Sequence, residues 1–272
     1  MAQAMDSPPI GPLLRHWRGL RRFSQLELGL QADVSARHIS FIETGRARPS
    51  REMVLQLARI LDVPLREQNT LLTAAGFAPR YRETGLDDPE LALVRQALEH
   101  ILTGYEPHGA LVADRMWNLL LANRSVRLLM AHFLPEQAAG GDGPLNLIRL
   151  VLEPDGLRPH IVNWREMAGH FVQRLHQESL AQGGVGPLAE LLDEVLSIPG
   201  VPANWSRPDP DRYPAPMLQL HLAKDGLELK LFSTVTTFGT AQDVSLQELR
   251  IESFHPADEA SNVLLHQLVA HA

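Results

Sequence analysis

The sequence has 272 residues, of which 44% are hydrophobic, with 20 Pro and 19 Gly, a composition typical of a globular chain of one or two domains. It has no Cys, which excludes disulfides, thiol nucleophiles and iron–sulfur ligation and fits a reducing compartment. The first residues lack the features of a secretory signal, and no run of 18 apolar residues predicts a membrane span. We therefore expect a cytoplasmic protein without membrane insertion.

The net charge of −7 is unevenly distributed along the chain. Residues 1–80 contain eleven Arg and seven acidic residues, a net charge of +4, which leaves −11 for the remaining residues. Arg pairs with phosphate through two parallel hydrogen bonds. The asymmetry predicts that the N-terminal part binds nucleic acid, with an unevenly charged but merely solvated surface as the alternative.

Helix signals in residues 1–80 predict five short helices. Ser24 and Glu27 have the spacing of a capping box, and Ser35 and Ser50 stand where the third and fourth helices need N-caps. No alternating strand pattern competes, so this part is predicted to be an all-α domain.

A break in helical periodicity marks the end of this domain. Gly and Pro interrupt the pattern over residues 76–90. We therefore predict a DNA-binding domain over residues 1–80, a linker over 81–90 and a second domain over 91–272.

The stretch from Gln25 to Ile42 predicts a helix–turn–helix. Gly29 is small enough for the two helices to approach closely, and Asp33 falls at the turn, where a positive φ is often required. The third helix then places its N-terminal end outward, as a helix that enters the major groove does. Its outward residues are predicted to be Ser35, Ala36, Arg37, His38 and Phe41.

These residues carry a specific resemblance. The segment SQLELGLQADVSARHISFIETGRARPS resembles the Xre (lambda-repressor-like) helix-turn-helix family, and the segment from RHISFIETGRARPS to LLTAAGFAP resembles its MmyB-like branch. Gly29 stands where Ala is common and Asp33 where Gly is common, and both departures are expected to lower stability slightly. The resemblance implies a transcriptional regulator that binds double-stranded operator DNA.

Roles on DNA follow from position. Arg37 is expected to contact O6 and N7 of a guanine, although a solvated surface charge is the alternative for any one Arg. Gln25 is expected to bond a phosphate or to support the third helix, and Phe41 to pack rather than to contact a base. Ser35 and His38 are predicted as further base contacts, and Arg22, Arg46 and Arg48 as phosphate contacts. The predicted DNA-binding residues are Arg22, Gln25, Ser35, Ala36, Arg37, His38, Arg46 and Arg48.

The C-terminal part has a different element order. Two short strands, over residues 109–114 and 117–122, precede several helices, and the chain ends in strands predicted over 216–222, 227–233 and 246–254 and a closing helix. Lys224-Asp225-Gly226 is a hairpin signal. The order predicts an α+β domain with an antiparallel sheet, the arrangement of PAS-type sensor domains.

The segments FSTVTTFGTAQDVSLQELRIESFHPADEAS and GLRPHIVNW resemble the MmyB-like C-terminal domain. The resemblance implies a PAS-like module with a small apolar, fatty-acid-like ligand as effector. No cofactor is predicted apart from this effector.

A mostly apolar pocket with one or two polar anchors is expected for such a ligand. Arg158 and Arg250 are candidates to pair with a carboxylate head group, and Asn123 and Asn163 to hydrogen bond. As alternatives, Arg250 pairs with a neighbouring acid, and the aromatic candidates belong to the core. The aromatic candidates for an acyl tunnel are Trp117, Trp164, Phe232 and Phe238.

No enzyme signature is found. The sequence contains no G-x-S-x-G, P-loop, G-x-G-x-x-G or H-E-x-x-H motif. His170 and His176 are six residues apart, a spacing that does not place both on one face of a helix for a metal. We predict no catalytic residue and no metal site.

The sequence thus favours a ligand-responsive transcription factor that binds DNA as a homodimer. Twofold symmetry would place two third helices in major-groove faces about 34 Å apart. Two alternatives remain: a C-terminal protein-interaction platform without a small ligand, and an enzyme fused to a DNA-binding domain.

Overall fold

The computed structural model describes residues 9–134, 144–181, 183–184, 186–207 and 217–270. Within these residues the chain divides into two compact units. The N-terminal unit comprises residues 9–85 and 238–247, and the C-terminal unit the described residues of 86–237 and 248–270.

The N-terminal unit is built from five helices around one apolar core. Leu28, Ile39, Ile42 and Leu57 are among the fully buried side chains of this core. The helices are α1 (Ile10–Leu20), α2 (Gln25–Gln31), α3 (Ala36–Glu43), α4 (Arg51–Ile60) and α5 (Leu65–Ala74).

The predicted N-caps are confirmed. The Ser24 hydroxyl accepts a hydrogen bond from the Glu27 N–H, and the Glu27 carboxylate accepts one from the Ser24 N–H, which completes the capping box. The hydroxyls of Ser35 and Ser50 accept the N–H groups of the third helical residues of α3 and α4. These caps satisfy donors that the helix backbone leaves free.

The C-terminal unit contains one antiparallel sheet with helices packed on it. Between residues 92 and 197 its α-helices are α6 (Ala92–Gly104), α7 (Arg124–Phe133), α8 (Leu147–Leu152), α9 (Trp164–Ala181) and α10 (Pro187–Ser197). Its strands are β1 (Ala110–Ala113), β2 (Leu119–Ala122), β3 (Gln219–Lys224), β4 (Leu227–Thr236) and β5 (Arg250–Pro256). The short α11 (Val244–Glu248) precedes β5, and α12 (Glu259–Ala270) follows it.

The five strands have the order β2-β1-β5-β4-β3, and every neighbouring pair is antiparallel. The predicted α+β fold with an antiparallel sheet is therefore confirmed. The hairpin signal is confirmed as well, because Lys224 pairs with Leu227 around Asp225 and Gly226, whose φ angles are 50° and 82°. Two successive positive φ angles are those of a type I′ turn.

Two predicted strand boundaries are wrong. Residues 246–248, the start of the strand predicted over 246–254, belong to α11 instead, because the Asp243 carboxylate accepts the N–H groups of Ser245 and Leu246 and starts a helical turn. The second strand starts at Leu119, since Trp117 has a φ of 64° that a strand does not allow. Of the strand predicted over 216–222, residue 216 lies outside the described residues, and β3 begins at Gln219.

Candidate DNA-binding helix and ligand cavity

The turn between α2 and α3 is tight. A Cβ added at Gly29 would lie 2.8 Å from the Val34 carbonyl oxygen and 3.1 Å from the Ala36 nitrogen. Asp33 has a φ of 53°, the left-handed conformation that the sequence predicted for the turn. Gly29 is therefore required by the close approach of the helices, and the expectation that it weakens the unit is wrong.

The first residues of α3 combine a cap with exposed side chains. Ser35 is exposed, and its hydroxyl accepts the His38 N–H at 3.1 Å. Arg37 is exposed, whereas Ala36 and His38 are half-buried. The N-terminal end of α3 is thus available for contact with a groove, with Arg37 as its exposed cation.

Two of the predicted DNA-binding arginines lie over the same aromatic ring, that of Phe41. The guanidinium carbons of Arg37 and Arg46 lie 5.1 and 6.0 Å from the centroid of the half-buried Phe41 ring. At these distances each cation is attracted to the ring. Phe41 therefore acts as a packing residue that holds two exposed cations, consistent with its predicted packing role.

The remaining predicted phosphate contacts lie in loops. Arg22 is exposed in the α1–α2 turn with a φ of 57°, and Arg48 is exposed in the segment after α3. Their contacts with DNA stay a prediction.

A buried carboxylate joins the first three helices. Glu43, 4% exposed, accepts hydrogen bonds from Arg18 at 2.6 and 3.0 Å and from Gln25 Nε2 at 2.9 Å, and Arg15 lies 3.5 Å away. Burial raises the pKa of Glu43, but the hydrogen bonds from Arg18 and Gln25 and the nearby arginine charges outweigh it, so the pKa lies below its ordinary value. The group stays ionised at neutral pH and fixes α1 and α2 against α3.

Gln25 thus has one of its two predicted roles, because its side-chain amide supports α3 through the hydrogen bond to Glu43. Glu43 itself was not predicted from the sequence. Its signal was the place of an acidic residue directly beside Ile39 and Ile42 on the inward face of α3.

The C-terminal unit contains a cavity of about 370 Å³ between its sheet and its helices, partly open to solvent beside the exposed residues Met217, Ser233 and Val235. The cavity is lined from the helices by Val126, Leu129, Met130, Phe133, Leu147, Leu150, Val151, Met167, His170, Phe171 and Arg174. From the strands and loops it is lined by Leu111, Leu157, Met217, Leu218, Leu220, Leu222, Leu231, Ser233, Val235, Glu252 and Phe254.

The strand register explains the cavity floor. Ser233 pairs with Phe254 and Val235 with Glu252 across β4 and β5. Because side chains alternate between the faces of a strand, these four residues share the face that lines the cavity.

Four of the lining side chains are polar. Arg174 donates to Glu178 at 3.0 Å, and its guanidinium lies 4.4 Å from the Trp117 ring centroid. Burial raises the pKa of Glu252, opposed by a hydrogen bond from Ser233 and by the charges of Arg174 and Arg250. Burial and the charge of Arg174 lower the pKa of His170, the fourth polar residue. Arg174 is therefore the one cation among the described lining residues.

None of the eight predicted ligand residues lies among those that line this cavity. Trp117 is 1% exposed and packs edge-on against Phe171. Arg250 forms an ion pair with Glu178 at 3.0 Å, and its guanidinium carbon lies 4.3 Å from the Trp117 ring centroid. Burial is the main cause that lowers the pKa of Arg250. These two residues lie behind Arg174. Trp117 is a core residue and Arg250 pairs with a neighbouring acid, which are the alternatives stated for them from the sequence.

The two predicted asparagines hold backbone groups. Asn123 caps α7 through the Val126 N–H and donates to the carbonyls of Leu102 and His108. Asn163 donates to the Gln219 carbonyl at 2.7 Å and accepts the His221 N–H. Both side chains thus have structural partners.

The other four predicted residues form contacts elsewhere. The Arg158 guanidinium lies 3.9 Å from the Trp164 ring centroid, and the Trp164 Nε1 donates to the Val151 carbonyl. Phe232 stacks on His255 at 5.2 Å, on the sheet face opposite to Ser233, and Phe238 is half-buried in the N-terminal unit. Contact of any of the eight with a ligand stays a prediction.

Arg174 was not predicted from the sequence either. Met167, His170, Phe171 and Arg174 follow the i, i+3, i+4, i+7 spacing of one helix face, so an Arg at the end of an apolar face was the signal available. Across the described ranges, no group of three or more His, Asp or Glu is placed to hold a metal ion. No described helix is both long and apolar enough to cross a membrane.

Comparisons with known proteins identify a family for each of two regions of the chain. The family described as MmyB-like transcription regulator ligand binding domain matches residues 94–268, and the family described as Helix-turn-helix matches residues 14–68. No curated protein matches the chain. A solved structure described as an RNA-binding Light-Oxygen-Voltage receptor matches 96% of this chain at 14% identity, with a TM-score of 0.28. This chain covers 61% of that structure, and at such a score the likeness does not establish a common fold.

Proposed function

The chain belongs to the MmyB-like transcription regulators, and we propose that it binds operator DNA through α3 and responds to a small apolar acid held in its cavity. The family matches make it a DNA-binding regulator with a C-terminal ligand-binding domain. The operator contacts and the chemistry of the ligand are the proposed parts.

The exposed cations of the helix–turn–helix support the DNA contacts. We propose that Arg37 contacts a guanine and that Arg22, Arg46 and Arg48 bind phosphates, with Ser35, Ala36 and His38 beside Arg37 at the end of α3. Phe41 limits the freedom of Arg37 and Arg46, which lowers the entropy lost when they bind DNA.

The observation that carries the ligand proposal is the apolar cavity with one cation. Of the 22 described residues that line it, eighteen are apolar, and its volume of about 370 Å³ is that of a small-molecule site. A fatty acid matches this lining, because its chain would contact the apolar side chains and its carboxylate would pair with Arg174. The raised pKa of Glu252 favours the uncharged carboxyl, which limits repulsion of the ligand carboxylate.

We propose a homodimer as the DNA-binding form. Regulators with a helix–turn–helix bind two half-sites one helical turn apart, about 34 Å, when they are dimers. Both matching families are families of transcription regulator domains, so we propose no catalytic residue and no cofactor apart from the effector. Chromosomal DNA as partner supports a cytoplasmic location.

Replacement of the cavity cation tests the ligand. We expect Arg174→Met to weaken binding of dodecanoate about 10- to 100-fold, because a charge-assisted hydrogen bond contributes about 1.5–3 kcal/mol. Isothermal titration calorimetry with the full chain measures the change. Arg158→Met is the matched control, since Arg158 lies outside the cavity lining and was one of the two head-group candidates predicted from the sequence.

Equal weakening by both substitutions, with unchanged circular dichroism, would contradict the assignment of Arg174. If the unaltered chain binds neither dodecanoate nor hexadecanoate, the proposed acid ligand is wrong and the interaction-platform alternative is favoured.

A further inference from the structure

The connection between β4 and β5 does not stay in the unit that contains the two strands. Residues 238–247, hereafter the β4–β5 segment, belong to the N-terminal unit, whereas β4 and β5 belong to the C-terminal unit. The chain therefore passes between the units at residues 85–86, 237–238 and 247–248.

The β4–β5 segment is bound to the rest of the N-terminal unit by three hydrogen bonds. Thr84 Oγ1 donates to the Asp243 carboxylate at 2.7 Å, and the Val244 N–H donates to the Arg82 carbonyl at 2.8 Å. The Leu65 N–H donates to Gln247 Oε1 at 2.7 Å. Val244 is 1% exposed, so this residue of the segment is buried.

The third of these bonds completes a helix. Leu65 is the first residue of α5, and the N-cap residue Pro64 makes no side-chain hydrogen bond to the helix. The Gln247 side chain thus supplies an acceptor that the local sequence lacks. Because α5 packs against α1 and α4, and α1 against α3, the segment ends on the helices that support the DNA-binding helix.

Both strands that the segment joins, β4 and β5, line the cavity. Ser233 and Val235 line the cavity from the end of β4, and Glu252 and Phe254 line it from the middle of β5. Val235 pairs with Glu252, directly before the two strands lead into the β4–β5 segment. Val235 is three residues before the segment and Glu252 five residues after it, so a displacement of this pair acts close to both ends of the segment.

We propose that the β4–β5 segment transmits occupancy of the cavity to the helix–turn–helix, through its contacts with Leu65, Arg82 and Thr84. This inference rests on the proposed function and adds the route of regulation. A change at the β4 and β5 cavity residues alters the capping and packing of α5, and α5 transmits it through α1 to α3. The segment is the regulatory element, and α3 is the element that it regulates.

A double-mutant cycle that needs no ligand tests the route. Val235→Phe and, separately, Met130→Trp fill part of the cavity, and Thr84→Val with Gln247→Met removes two bonds of the segment with little change of volume. The dissociation constant of the full chain is measured on a duplex selected from a random-sequence pool. We expect the filling substitutions to change it about fivefold or more, and by less than twofold when the segment bonds are absent.

Gln56→Met is the matched control, because it removes a hydrogen bond to the Ala32 carbonyl elsewhere in the same unit and should leave the fivefold effect intact. If the double variant loses its helical circular dichroism, the nearly isosteric Thr84→Val alone repeats the cycle. Equal effects with and without the segment bonds, or no effect of either filling substitution, would overturn the proposal. If dodecanoate does not bind, the proposed acid ligand is wrong. The double-mutant cycle still tests the segment in that case, because it uses no ligand.

Discussion

Arg37 is the residue whose surroundings agree best with base recognition. It lies at the start of α3, is exposed, and stacks over Phe41, which also holds Arg46. An Arg side chain loses about 2 kcal/mol of rotamer entropy when it is fixed. A ring that restricts the free side chain removes part of this cost before DNA is bound.

Arg37 and Arg48 are expected to differ in what they contribute. Arg37→Ala should raise the dissociation constant on the selected operator at a cost of about 1–3 kcal/mol and relax preference at one base pair. Arg48→Ala should weaken binding to all duplexes alike and reduce the salt dependence of affinity by about one counterion.

Binding of both variants to a library of single-base operator variants, at several salt concentrations, separates these effects. Uniform loss from Arg37→Ala, or a base-specific loss from Arg48→Ala, would reverse the assigned roles.

At the scale of elements, the helix caps and the hairpin turn were predicted correctly because neighbouring residues determine them. The caps at Ser24, Ser35 and Ser50 and the hairpin at Asp225-Gly226 depend on neighbouring residues, so the sequence was sufficient for them. α11 depends on Asp243, which both caps it and bonds Thr84, a residue 159 positions away. Distant contacts of this kind leave no periodic signal.

Distant contacts also explain why the residues that line the cavity were not predicted from the sequence. Trp117 and Trp164 were predicted as aromatic residues that line an apolar pocket, with core packing as the alternative. The burial of Trp117 and the hydrogen bond from Trp164 to a backbone carbonyl agree with that alternative. Arg174 lines the cavity because α9 lies opposite β4 and β5, a placement that only the assembled sheet provides.

Two glycines in neighbouring helices should respond oppositely to Ala. Gly29→Ala places a Cβ 2.8 Å from a backbone oxygen, and such overpacking costs about 1–3 kcal/mol, more than the gain of up to ~1 kcal/mol in helix propensity. Gly19→Ala has no atom within 4 Å of the added Cβ and should stabilise the chain by about 0.5–1 kcal/mol.

Thermal unfolding followed by circular dichroism measures both changes. Stabilisation by Gly29→Ala would show that α2 and α3 are not in the close contact described.

At the scale of the whole molecule, the division of charge parallels the division of sites. The cationic residues 1–80 include α3 and its exposed arginines, while the cavity lies in the acidic remainder. The β4–β5 segment is the exception, since it comes from the acidic part of the sequence and belongs to the DNA-binding unit. A net charge averaged over 272 residues conceals both facts.

The central claim is that occupancy of the cavity controls affinity for DNA. Its most direct test is the dissociation constant of the full chain for the selected operator, measured without dodecanoate and at a concentration that saturates the cavity. We expect a change of roughly 5- to 150-fold, the usual range for coupled sites, which Arg174→Met abolishes and Arg158→Met retains. A dissociation constant that stays the same within twofold, while calorimetry shows the cavity to be saturated, would contradict the account.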